Sequence, residues 1–95
     1  MGKIERRIDV LLYDGVNVLD VTGPTQVLSS AQDLSDARYA IRFVSLDGGA
    51  VRASSGLRML ADAVFDPLSD AHDLIVPGGA GVDALLSNSV LQTGI

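Results

Sequence analysis

The sequence predicts an α/β domain: a mainly parallel sheet with helices on its faces and a small hairpin. Three observations carry this expectation. Short β-rich apolar runs at residues 8–13, 39–46 and 74–76 are each closed by a turn signal. Helix-forming stretches follow the first and the last of them. The first run reads as largely apolar rather than alternating, which suits a buried strand.

Residues 8–13 (IDVLLY) end at Asp14-Gly15. The trio Thr22, Gly23 and Pro24 reads as a helix entrance, because proline in the first helical position loses no hydrogen bond. Val27, Leu28 and Ala31 supply the inward face, and the polar stretch 33–36 ends the helix. Residues 39–46 form the second strand, closed by Asp47-Gly48-Gly49. Candidate strands at 50–53 and 57–60, separated by Ser54-Ser55-Gly56, make a hairpin. The stretch 64–68 is ambiguous, with Pro67 limiting any regular element. Residues 74–76 are a compact strand stopped by Pro77-Gly78-Gly79, and 82–86 turn helical, with 87–89 interrupting or recapping that helix. Right-handed crossovers would put the loops after residues 13 and 76 on one carboxyl edge of the sheet.

The 95 residues suffice for one small domain. Hydrophobic residues make up 47% and charged residues 20%, a globular balance. Twelve acids against seven bases give a formal charge of −5, and Arg6-Arg7 is the only adjacent basic pair, so direct nucleic-acid binding by this segment is not expected. The apolar run after the basic start is short and broken by Asp14, unlike a signal peptide, and no stretch has the length of a membrane helix. A cytoplasmic location is therefore the expectation. The absence of cysteine removes disulfides, thiolate metal sites and thiol catalysis from these residues. His72 is the lone histidine, too few for a multi-histidine zinc site.

Asp20 stands between Val18, Leu19 and Val21. Two readings are open: an acceptor for backbone N–H groups at the helix start, or a carboxylate pointing into a cleft. The segment 77–81 holds three glycines in five residues at a strand-to-helix junction. Such a turn can receive an anion through its N–H groups, or it can be a tight turn with no ligand. It is neither the dinucleotide fingerprint nor a phosphate loop, whose further residues are missing. Ser54 and Ser55 have no nearby histidine base and read as turn residues rather than nucleophiles. Asp62, Asp66, Asp70 and Asp73 lack calcium-loop spacing and read as turn positions. Tyr13 and Tyr39 read as packed strand residues, and His72 as a surface residue.

Four stretches taken together resemble the amino-terminal half of the DJ-1/PfpI superfamily, whose fold is flavodoxin-like and similar to a class I glutamine amidotransferase domain. They are VLLYDGVNVLDVTGP at 10–24, FVSLDGGAVRASSGLRMLAD at 43–62, HDLIVPGG at 72–79 and the helical segment after it. The pattern is similar both to the amino-terminal domains of AraC-type transcription regulators and to isocyanide-hydratase-like proteins. The run SLDGG-VR-SSGL tilts the likeness toward the regulators.

In catalytic members the resemblance implies an acid at Asp20 beside a cysteine nucleophile, with the Gly78-Gly79 turn forming the anion-receiving side of the pocket. The cysteine elbow is expected beyond Ile95. The segment is thus expected to be a truncated amino-terminal part of one domain, not an enzyme by itself, and without resident metal or cofactor. Asp20, Gly78 and Gly79 are its candidate ligand-binding residues. The expected partners are a small-molecule effector and a second copy of the chain, since unfinished sheet edges and apolar faces favour self-association.

Overall fold

A computed structural model describes residues 4–32 and 37–86. The elements in chain order are β1 (Ile4–Leu12), α1 (Val18–Gln32), β2 (Ala37–Ser45), β3 (Ala50–Arg52), β4 (Arg58–Leu60), β5 (Ala63–Val64), β6 (Asp73–Ile75) and α2 (Val82–Leu86). Four strands form a parallel sheet in the order β5-β2-β1-β6, and β3 pairs with β4 in a separate antiparallel hairpin. This is the α/β architecture expected from the sequence.

β1 lies inside the sheet, with β2 along its full length and β6 on its other side. Ile8, Val10, Leu11 and Leu12 are buried, which accounts for a run too apolar to alternate. Val44 of β2, Val21 of α1 and Phe65 after β5 complete the centre of the core. The hairpin turns its two faces differently. Val51 is buried and its register partner Met59 half-buried, while Arg52 and Arg58 face outward. Its turn uses Gly56 at φ 94°, a backbone angle that favours glycine.

β1 begins at Ile4, ahead of the expected run at 8–13, and β2 at Ala37, ahead of 39–46; the start of the first helix differs most in kind. Helix α1 begins at Val18, not at Pro24, which lies within it. The start is set by Asn17, whose Oδ1 accepts the Leu19 N–H at 3.0 Å and so caps the helix. Pro24 cannot donate the interior hydrogen bond to the Asp20 carbonyl. Nearby, the hydroxyls of Thr22 and Thr25 donate to the carbonyls of Val18 and Val21 at 3.1 and 2.9 Å. Of the ambiguous stretch 64–68, Val64 ends the two-residue β5, paired with β2, and the rest, with Pro67, forms no strand or helix. The expected helix stop at 33–36 and the recapping at 87–89 lie outside the described residues. No helix among the described residues is long and apolar enough to cross a membrane.

Candidate functional site

The chain passes from β1 to β2 on one side and later returns to β6 on the other, so the strand order reverses between β1 and β6. In open α/β sheets the crevice at such a reversal, outside the carboxyl ends of the strands, is where ligands bind. Here that crevice is bounded by residues 13–20 and 76–81. Hydrogen bonds join the two segments. Tyr13 Oη donates to the Pro77 carbonyl at 2.5 Å, the Asn17 N–H donates to the Gly78 carbonyl at 2.9 Å, and Val16 and Gly79 form an isolated antiparallel bridge. Gly79 is required by this approach: a Cβ there would meet the backbone of Gly15, Val16 and Asn17.

Asp20 sits in the first turn of α1, where a negative charge interacts favourably with the helix dipole. The capping acceptor is Asn17 rather than Asp20. Its carboxylate instead faces the glycine turn, with Oδ2 2.8 Å from the position a Cβ on Gly78 would take. Among the described residues, no acceptor takes the N–H of Gly78 or of Gly79. The structure therefore brings the exposed Asp20 carboxylate close to Gly78, and Gly79 against the 15–17 loop, at the carboxyl edge of the sheet. Such a set can hold a small polar ligand that offers both a donor and an acceptor.

Tyr13 was legible only as a packed strand residue, and it is packed. Its hydroxyl also fixes the peptide leading into the glycine turn. Burial, and secondarily the negative charge of Asp20, raise the Tyr13 phenol above its ordinary value. The signal for this role was its place at the end of an apolar strand, directly before Asp14-Gly15. Two recesses also open at this edge. One of about 420 Å³ is lined by Leu12, Tyr13, Ser45, Leu46, Asp47 and Val51, among others. The other, of about 200 Å³, lies between Tyr13, Leu46 and Leu85. Both lie along Tyr13 and Asp14, and neither is lined by Asp20, Gly78 or Gly79.

The remaining candidates serve the scaffold. The Ser54 N–H donates to the Val16 carbonyl at 2.9 Å. His72 is exposed at the opposite, amino end of β6, where Nδ1 accepts the Arg7 N–H at 2.9 Å. Asp62 and Asp66 accept backbone N–H groups of Phe43 and Leu68, and Asp73 and Asp70 pair with Arg6 and Arg7. One acid was missed altogether. Asp9 is buried within β1, paired with Arg42 at 3.2 Å and accepting the Ser69 hydroxyl at 3.3 Å. No cluster of metal-ligating side chains occurs among the described residues.

Comparison with known proteins adds to this geometry. The chain is 41% identical over 85 residues to a Streptomyces lividans protein described as "Uncharacterized protein in cpoL 5'region", covering 88% of this chain and 57% of that one. It is 34% identical over 82 residues to the isonitrile hydratase of Pseudomonas putida, covering 86% of this chain and 34% of the hydratase. The crystal structure of an AraC family transcriptional regulator from Pseudomonas putida superposes with a TM-score of 0.69 at 28% identity, covering 78% of this chain and 40% of the regulator. The chain thus spans about half or less of each relative's length. The DJ-1/PfpI family model matches residues 6–94, nearly the whole sequence, and the chain belongs to the DJ-1/PfpI family.

Proposed function

We propose that this chain is the ligand-sensing or interaction part of an AraC-like transcription regulator. The observation that carries the reading is the approach of Asp20 to Gly78 at the strand reversal, in a turn whose Gly78 and Gly79 N–H groups find no acceptor among the described residues. These groups recognise a ligand; they supply no nucleophile. The likeness to the Pseudomonas putida regulator supports the assignment. In this reading a small-molecule effector occupies the crevice, the chain works in the cytoplasm, and it pairs with a second copy.

The 34% identity with isonitrile hydratase favours a second reading, in which the chain is the non-catalytic portion of a hydratase-like enzyme. Asp20 would then orient a nucleophile that these residues do not contain. Two measurements separate the readings. In the intact gene, a downstream helix-turn-helix pair supports the regulator, whereas one complete domain with an elbow cysteine supports the enzyme. For the chain itself we expect isocyanide hydration no faster than in buffer. Turnover that follows the purified protein and disappears in Asp20→Ala would overturn that expectation.

A further inference from the structure

We propose that the outward face of the β3–β4 hairpin is an oxyanion site, in which Arg52 and Arg58 together take a phosphate ester or a dicarboxylate. The two arginines are direct register partners and both are exposed. Val51 and Met59, the next pair along, face the core, so the arginine side chains project to the same outer side of the ribbon. Like charges directly opposite one another weaken a strand pair. A counter-charge would relieve this, yet the described ion pairs are Arg6–Asp73, Arg7–Asp70 and Arg42–Asp9, and none includes Arg52 or Arg58. Among the described residues no carboxylate pairs with either guanidinium, in a chain that has twelve acids and seven bases.

The surroundings shape a site. Both arginines line a concavity of about 620 Å³ where the hairpin meets the loop after β1, bounded by Asp14, Gly15 and Ala53. Arg52 is held in place, its Nη1 donating to the Gly56 carbonyl at 3.1 Å. Asp14, the acid of the concavity, is tied to the backbone, its Oδ1 accepting the Arg52 N–H at 3.0 Å. It is not within ion-pair distance of either guanidinium. Each guanidinium fork matches a pair of anionic oxygens. Two such forks on one side of the ribbon therefore favour a ligand with several such oxygens over a halide. The site lies on the opposite side of loop 14–17 from the Asp20 crevice and does not depend on the function proposed for that crevice.

The test is a titration of the isotope-labelled chain with inorganic phosphate and, separately, with malonate, at ionic strength held constant with sodium chloride. Backbone amides and arginine Nε–H resonances are followed by NMR. Saturable shifts at Arg52, Arg58 and Gly15 are expected. Arg58→Gln should weaken binding roughly fivefold or more. Arg58→Lys, which keeps the charge but loses the fork, should also weaken it, and Arg38→Gln should leave it unchanged. Saturation by phosphate alone identifies a phosphate ester as the ligand class, and saturation by malonate identifies a dicarboxylate. Shifts that stay linear with both anions, or a saturable response that survives Arg58→Gln, would overturn the proposal.

Discussion

Asp20 approaches Gly78 across the strand reversal, its Oδ2 lying 2.8 Å from the position a Cβ on Gly78 would take. The two neighbouring glycines should therefore respond differently to alanine. At Gly78 the added Cβ meets only the end of the Asp20 side chain, which can rotate away, so we expect a loss of less than about 1 kcal/mol. The cost falls on the site, because the carboxylate is displaced from the turn. At Gly79 the Cβ meets backbone of the 15–17 loop on several sides, and we expect about 2–3 kcal/mol of destabilisation. Chemical denaturation of the two variants checks the contrast, and equal losses would contradict it.

Tyr13→Phe removes the hydrogen bond to the Pro77 carbonyl while keeping the ring in the core. Leaving that buried acceptor unpaired should cost about 1–2 kcal/mol. A second signature is pH dependence. The folded-state pKa of Tyr13 is raised above the ordinary value of 10.0, first by burial and then by Asp20. Its contribution to stability is therefore complete below that value and is lost as pH rises above it, because the unfolded phenol ionises first. In Tyr13→Phe this alkaline loss should shrink. An unchanged slope of stability against pH above the ordinary value would show that Tyr13 does not carry it.

The Asp9–Arg42 pair gives a third test. Asp9 is 3% exposed, and Arg42 and Ser69 surround its carboxylate. Arg42→Met strands a buried charge and should cost about 3 kcal/mol. Asp9→Asn keeps the shape and partly restores the hydrogen bonding, so Asp9→Asn combined with Arg42→Met should cost less than the sum of the two single changes. Denaturant midpoints for the four proteins of this cycle measure the coupling. Strict additivity would mean that the ion pair stabilises nothing beyond its separate groups.

How far the sequence reaches follows from the range of the interactions involved. β1, β2, the hairpin and β6 were legible because β-rich runs closed by glycine or proline turns specify them locally. The start of α1 was not. Pro24 carries the usual mark of a first helical residue, whereas the cap is Asn17, whose own N–H is held by Gly78 from another part of the chain. The two-residue β5 exists through its pairing with β2 and leaves little local trace. Asp20 and Gly78 could both be placed at the carboxyl edge from sequence. Their approach needed β6 to lie directly beside β1, a matter of topology. The Asp9–Arg42 pair depends on strand register in the same way.

Self-association through the outer edge of the sheet is the last expectation to test. Among the described residues β6 pairs with β1 alone and is the outermost strand on that side of the sheet. An outermost strand can recruit strands from other chains. Apolar exposure adds to the drive: Leu19 is 76% and Leu60 75% exposed, each too large to be left in water without cost. We expect sedimentation at several concentrations to find a dimer or a larger species. Introducing lysine at Val76, an exposed residue directly after β6, places a charge at that edge and should shift the equilibrium toward monomer. A folded monomer at every concentration would exclude self-association. A dimer that Val76→Lys leaves untouched would place the contact away from β6.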